Sequence, residues 1–275
     1  MLKKKKDSKV MAGLERYARQ TLFTPLGKRG QELLGEASVA IIGCGALGTG
    51  LANNLCRAGV GRLLIADRDF IELNNLQRQI LFDEDDIEQH LPKAVAAVNR
   101  LQRVNSTTRL EALVEDIDAE SIETLVKEVD LVLDATDNFE TRYLLNDACI
   151  KHQRPWIYSG VVASYGVTMN ILPNVTPCLR CIFPEMPLPG TSPTCDTAGV
   201  LNGIVGAITG IGATEALKIL LQSDKISREM FWMDLWENTS ERLELPRDPA
   251  CPTCGQHMYE FLETLSEPRS TSLCG

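Results

Sequence analysis

Two pairs of cysteines, Cys178-Leu179-Arg180-Cys181 and Cys251-Pro252-Thr253-Cys254, carry the spacing of thiolate knuckles, with 69 residues between them. Four thiolates close a tetrahedral shell around zinc and leave no open position, which is structural rather than catalytic chemistry. So long a gap argues against a self-contained ribbon and for a clamp that pins a C-terminal segment to the main body; redox disulfides are the alternative. A second constellation lies upstream. Gly43-Cys44-Gly45-Ala46-Leu47-Gly48 is a Gly-x-Gly-x-x-Gly turn, and Asp67 follows Gly48 by 19 residues. Glycines there let the backbone approach a phosphate, and the later carboxylate can hold ribose hydroxyls. By itself this fingerprint reads as a nicotinamide-dependent dehydrogenase, or as a tight turn with no ligand. Arg78 and Lys93 add positive charge that suits a triphosphate better than a bridging pyrophosphate. Asp137 and Asn138 add a carboxylate and an amide, the former able to hold a magnesium ion shared with phosphates. Each of these residues alone is as readily a solvated surface group; together at strand ends they mark a nucleotide site.

The elements that must hold them alternate. Ser38 to Gly43 is a continuous apolar run, the signature of a strand buried on both faces. The glycine turn ends it, and a helix is expected through Thr49 to Ala58, with a break at Gly59. Arg62 to Ala66 is a second strand that stops at Asp67. Ala94, Val95, Val98 and Leu101 give Lys93 to Val104 one apolar side, which predicts a helix. Leu131 to Leu133 is a short strand running into Asp134-Ala135-Thr136-Asp137-Asn138. Helix follows to about Ile150, then strand-like runs from Pro155 to Val162 and Thr168 to Leu172. This order predicts an α/β fold: a Rossmann-like, doubly wound, mostly parallel sheet with helices on both faces and a zinc-clamped C-terminal segment. Residues 173 to 197 carry six prolines and four threonines and read as a long functional or mobile loop. A glycine-rich helix from about Gly199 to Leu221 and a strand from Met230 to Leu235 complete the pattern.

Composition narrows the function. The 275 residues are 44% hydrophobic and 24% charged, which excludes disordered, collagenous and coiled-coil chains. The net charge of -9 excludes a sequence-independent nucleic-acid binder, which needs a basic face. The start MLKKKKDSKV has no apolar stretch behind it, so no secretory leader is expected. Thr197 to Thr214 runs 18 residues without a charge, yet it holds five glycines, three threonines and Asn202. A helix buried in protein suits that content better than a membrane span. Nine cysteines, an odd number, point to metal and thiol chemistry in the cytoplasm rather than to a disulfide framework.

Read in order, Arg16-Tyr17-x-Arg19-Gln20, the glycine turn, Asp67-x-Asp69, Asn75-Leu76-Gln77-Arg78-Gln79, Pro92-Lys93, Thr136-Asp137-Asn138 and the two cysteine knuckles form one set. That set resembles the ThiF/MoeB/HesA family, the bacterial relatives of ubiquitin-activating enzymes, over roughly residues 14 to 256. The resemblance implies that ATP and Mg2+ adenylate the C-terminal glycine of a small ubiquitin-fold sulfur carrier with a Gly-Gly tail, in thiamin thiazole or molybdopterin synthesis. A non-catalytic module that binds a ubiquitin-like protein is the other alternative. By motif, Arg78 and Lys93 should meet phosphates, Asp137 hold magnesium and Asp67 the ribose. Gly43, Gly45, Ala46, Gly48, Asn74, Asn75, Leu76, Gln77 and Asn138 should line the nucleotide. Arg19 resembles an arginine that family homodimers donate to the neighbouring subunit's site. The family often has a second glycine where Ala46 stands and a serine where Asn74 stands; neither change opposes the role. The resemblance also favours zinc at Cys178, Cys181, Cys251 and Cys254. No sulfur-donating domain follows, so a separate sulfur donor protein is expected.

The remaining residues say less. Cys195 precedes a helix, where a thiol pKa falls; the resemblance allows it a bond to the activated carrier or a part in sulfur transfer, against a bystander loop thiol. Cys44, Cys56 and Cys149 sit in apolar elements and read as core residues. Cys274 carries no role, and its Leu-Cys-Gly setting resembles tails that continue further. His90, His152 and His257 show no metal or triad spacing. Trp232 and Trp236 read as packing residues. The expected division is a basic tail at 1–13 and an adenylyltransferase domain at 14–256. Within that domain the nucleotide half is 14–150 and the carrier and zinc half 151–256; a tail follows at 257–275.

Overall fold

The computed structural model describes residues 15–187 and 195–264, with Cys195, Asp196 and Thr264 entering by backbone alone. The expectations for the basic tail, the Cys195 thiol and Cys274 fall outside that description. In chain order the elements are α1 (Gly27–Glu36), β1 (Ser38–Ile42), α2 (Ala46–Ala58), β2 (Arg62–Ala66), α3 (Glu84–Glu88), α4 (Lys93–Val104), β3 (Arg109–Leu113), α5 (Ala119–Glu128) and β4 (Leu131–Asp134). There follow α6 (Phe139–Lys151), β5 (Trp156–Val162), β6 (Tyr165–Ile171), α7 (Leu179–Ile182), α8 (Cys195–Ala198), α9 (Asn202–Leu220), β7 (Met230–Asp234), β8 (Thr239–Leu243) and α10 (Glu260–Thr264).

Eight strands form one sheet in the order β3-β2-β1-β4-β5-β6-β7-β8. The five from β3 to β5 pair in parallel and the last three antiparallel. Strand alternation assigns the two faces. Val39, Ile41, Leu63, Ile65, Leu131 and Leu133 point to a layer made by α2, α4 and α9. Ala40, Ile42, Val132 and Trp156 point to the opposite layer of α5, α6 and the C-terminal knuckles. Each fully buried Leu or Ile among them contributes roughly 1.5–3 kcal/mol, so the central strands are the rigid floor on which everything else is placed.

Several expectations change in detail. α9 is long and apolar enough to cross a membrane by length and composition, but half of its apolar window is buried inside the protein. It lies against α2, β5 and β6, as expected for a core helix. β3 (RLEAL) and β8 (TSERL) show no apolar run, because each is an edge strand supported on one side only. Part of the tail expected from 257 is packed: α10 buries Leu262 in the core, and the Phe261 ring lies 4.7 Å from Tyr143. Trp236 does not pack; it is 73% exposed at the turn between β7 and β8.

Candidate nucleotide site and cysteine cluster

The strand order reverses between β1 and β4, since β1 leads outward through β2 to β3 and β4 outward to β5. Open α/β sheets take ligands in the crevice at such a point, beyond the carboxyl ends of the strands. The glycine turn follows β1 and Asp137 follows β4, so sequence motifs far apart meet on the two sides of one crevice. The turn itself is built by steric necessity. Gly43 has φ +92°, and a side chain there would meet the Ala135 carbonyl oxygen at 2.5 Å; one on Gly48 would meet the Gly43 carbonyl oxygen at 2.0 Å. Gly45 differs: a Cβ would find nothing nearer than Gln79 Nε2 at 3.9 Å. The outer glycines serve the fold, while the middle one keeps space open. Gly45 is also the N-cap of α2 and supplies no side-chain cap. The first amides of that helix, from Ala46 to Gly48, point into the crevice with the positive end of the helix dipole, which is a cradle for an anion.

The carboxylates and cations are held around this cradle. Asp67 accepts the Cys44 amide at 2.6 Å and the Asp69 amide at 2.8 Å, one on each oxygen. Two acceptor sites of the carboxylate remain for hydroxyls. Burial raises its pKa, against those two amide bonds and the nearby Lys93. Lys93 is only 8% exposed; its ammonium pairs with Asp69 at 3.0 Å, and its amide is tied to the Asp69 carbonyl. Arg78 donates to the Asn74 carbonyl at 2.7 Å, which bends it back over its own turn. Asn75 is buried and completes a capping box with Glu72, while Leu76 packs against the core and Gln77 is exposed. These three thus shape the segment that carries Arg78. Asp137 is exposed and takes no hydrogen bond or ion pair from the described residues, and Asn138 caps α6 by accepting the Thr141 amide. An unpaired carboxylate oxygen set beside a phosphate cradle fits a magnesium ion, which is held by one or two carboxylates plus phosphates.

Arg19 is the one site residue that the structure sets apart. Its neighbour Gln20 donates to the Ala58 carbonyl at the far end of α2. Thirteen helical residues separate that end from the glycine turn, a span of about 20 Å. Within one chain, Arg19 is exposed and outside the crevice.

Below the sheet's opposite face, Cys178, Cys181, Cys251 and Cys254 converge, all sulfurs lying within 4.8 Å of one another. Three of the separations are 3.6, 3.9 and 3.4 Å. A tetrahedron with metal–sulfur bonds of about 2.3 Å has edges of about 3.8 Å, so the donor set fits zinc. α6 seats both knuckles. Asn146 accepts the Leu179 amide at 2.9 Å, and Asp147 accepts the Thr253 hydroxyl at 2.7 Å and the Phe261 amide at 3.1 Å. Asp147 is buried there, and burial pushes its carboxyl up to about 6.

The ThiF family model matches residues 17–253, nearly the whole chain. The chain belongs to the ThiF family. It is 43% identical to the sulfur carrier protein ThiS adenylyltransferase of Bacillus subtilis over 94% of its own length and 77% of that protein's. It is 37% identical to the sulfur carrier protein adenylyltransferase of Thermus thermophilus, over 88% and 91% of the two chains. Among solved structures, Escherichia coli MccB superposes with a TM-score of 0.76 at 23% identity, covering 87% of this chain and 74% of that one, which shows a shared fold.

Within this ThiF-family frame, two residues near the crevice were given no role by the sequence reading. Gln79 is 3% exposed and its Oε1 has no partner, although it ends the Asn75–Gln79 run. Its amide nitrogen is the atom nearest to the space beside Gly45, and only its membership of that run hinted at it. Arg142 is buried beneath the Asp137 loop, and nothing in its spacing marked it.

Proposed function

We propose that this ThiF-family chain uses ATP to adenylate the C-terminal glycine carboxylate of a small ubiquitin-fold sulfur-carrier protein, releasing pyrophosphate. What supports the reading is the crevice between β1 and β4, with the uncapped start of α2 after β1, the exposed Asp137 after β4, and Lys93 near Asp67 and paired with Asp69. The names of the B. subtilis and T. thermophilus relatives supply the carrier. The family assignment leaves the dehydrogenase alternative without support.

The chemistry follows from charge. The carrier's carboxylate oxygen bonds to the α-phosphorus as the bond to the pyrophosphate oxygen breaks, so two anions must meet. No covalent nucleophile is needed from the protein; positioning and charge neutralisation lower the barrier. Lys93 sits on the phosphate side and exchanges its Asp69 partner for phosphate oxygens. Arg78 turns from its own backbone to the leaving pyrophosphate. Asp67 accepts the ribose hydroxyls, and Asn74, Ala46, Gly43 and Gly48 shape the surface below. Asp137 would hold magnesium, which would supply positive charge against the phosphates when bound. Zinc at the four cysteines would fix the C-terminal segment and take no part in adenylation. A thiazole-pathway carrier is the first choice on the B. subtilis relative, with a separate protein donating sulfur.

We also propose a cytoplasmic homodimer in which Arg19 reaches the neighbouring subunit's crevice, since its own lies a helix length away. An open groove of about 370 Å³ beside it, lined by Gln20, Asn54, Arg57, Thr214 and Leu217, supports a partner on that face. In this reading residues 14–150 are the nucleotide half and 151–256 the half that meets the carrier and holds zinc.

The test of the function is carrier-dependent exchange of labelled pyrophosphate into ATP, with thiazole-pathway and molybdopterin-pathway carriers side by side. Exchange with a carrier, lost in Asp137→Ala, is expected. Silence of zinc-loaded, folded protein with both would overturn the assignment to these carriers.

A further inference from the structure

Asp137 is exposed, yet the loop that carries it is built on a buried ion pair. Arg142, one turn into α6, donates from Nε to Asp134 Oδ2 at 2.9 Å, and both side chains are nearly or fully buried. Its Nη2 donates to the Thr136 carbonyl at 2.6 Å and reaches the Ser159 carbonyl of β5 at 3.4 Å. The other Asp134 oxygen accepts both the Thr136 amide, at 2.9 Å, and the Thr136 hydroxyl, at 2.7 Å. The guanidinium plane is closed in by the Tyr158 and Phe139 rings, 5.2 and 5.3 Å from their centroids. Asp134, Thr136 and Arg142 thus form a closed ring of hydrogen bonds. The carbonyl it grips belongs to the peptide that joins Thr136 to Asp137, so the ring fixes the plane from which the Asp137 side chain departs. The same loop touches the glycine turn, whose Gly43 leaves no room for a Cβ against Ala135 and Thr136.

We propose that Arg142 is a positioning residue for the metal: through the Thr136–Asp137 peptide it holds the Asp137 carboxylate where magnesium and nucleotide phosphates can share it. The inference rests on the reading of Asp137 as the magnesium ligand. A fork-shaped donor suits these contacts because the carboxylate and the carbonyl are met by two different nitrogens of the guanidinium, whereas lysine carries all its N–H donors on one nitrogen.

Removing Arg142 alone leaves Asp134 buried and unpaired, which threatens folding. The informative variants are therefore Arg142→Lys, which keeps the charge, and the double change Arg142→Gln with Asp134→Asn, which removes both charges. Full-length protein is titrated with ATP by calorimetry, with magnesium absent and with magnesium saturating, beside wild type and Asp137→Asn. Expected is an unchanged affinity for metal-free ATP in both Arg142 variants, with the magnesium-dependent tightening reduced about 10–100-fold, the scale for removing a partner that orients a metal-binding carboxylate. The tightening should shrink less in Arg142→Lys than in the double variant. If folded Arg142 variants keep the wild-type tightening while Asp137→Asn loses it, Arg142 is structural only and the proposal falls. If Asp137→Asn keeps it as well, the magnesium reading of Asp137 fails, and the role of Arg142 with it.

Discussion

The three glycines of the turn look alike in the sequence and differ in what they tolerate. Gly48→Ala drives a methyl into the Gly43 carbonyl. It should cost at least about 1–3 kcal/mol, the usual price of overpacking, because backbone cannot yield. Gly45→Ala has room for its methyl and should cost only about 1 kcal/mol, the scale of exchanging a favoured N-cap residue for alanine. It should nevertheless weaken ATP, by the 1.5–3 kcal/mol or so of a lost charge-assisted bond, because the methyl occupies the open face of the cradle. Calorimetric binding beside thermal melts separates the two; equal losses of stability in both variants would refute the division of labour. Lys93→Ala is the complement. It removes a buried ammonium that Asp69 holds ready, and pyrophosphate exchange should fall by about 10²–10³-fold, with the fold intact by circular dichroism.

At the scale of elements, what could be read from the chain was what burial writes into it. β1, β2 and β4 are apolar because both faces are covered, and their ends named the crevice. β3 and β8 were illegible because an edge strand supported on one side needs no such run. Arg142 was illegible for a different reason: it is a charge whose partners, Asp134, Thr136 and Ser159, come from a strand end, a loop and the next strand. No periodicity encodes that meeting. The edge strand β3 is held instead by charge, with Arg62 of β2 gripping Glu111 through two bonds of 2.9 Å. Hydrogen bonding from Arg62 holds the Glu111 carboxyl below its ordinary range. The native state therefore takes up that proton less readily than the unfolded chain. The pair's contribution is in place above the ordinary glutamate value near ~4.3 and fades as pH falls through and below it. Glu111→Gln should flatten that acid limb in denaturant titrations and cost roughly 0.2–1 kcal/mol at neutral pH, because the pair is partly exposed. Acid limbs of equal slope in the two proteins would count against the clamp.

Across the whole molecule, α6 is the member that joins the two sites. Its first residues follow Asp137, and its last turns seat both cysteine knuckles through Asn146 and Asp147. Cys254→Ser should lose zinc by mass spectrometry and melt far below wild type. A four-thiolate zinc is worth about 10–16 kcal/mol in isolated fingers, against a whole-domain margin of about 5–15. The position of Arg19 predicts complementation between subunits. Arg19→Ala and Asp137→Ala should each be inactive, yet after subunit exchange an equal mixture should recover about a quarter of wild-type exchange, from the one intact crevice in each mixed dimer. A mixture that stays silent despite heterodimers by native mass spectrometry would show that Arg19 does not act across the interface. The sheet has one more consequence, in time rather than in space. β5 and β6 pair across the two-residue turn Ala163-Ser164, whereas β1 finds β4 only after most of the nucleotide half has passed. Local pairings close in microseconds and distant ones wait on loop closure. During synthesis the crevice has no second wall until Asp134 has left the ribosome, and the knuckles stay open until Cys254 does. A nascent chain arrested between those two points would already own its nucleotide cradle while its C-terminal clasp was still unmade.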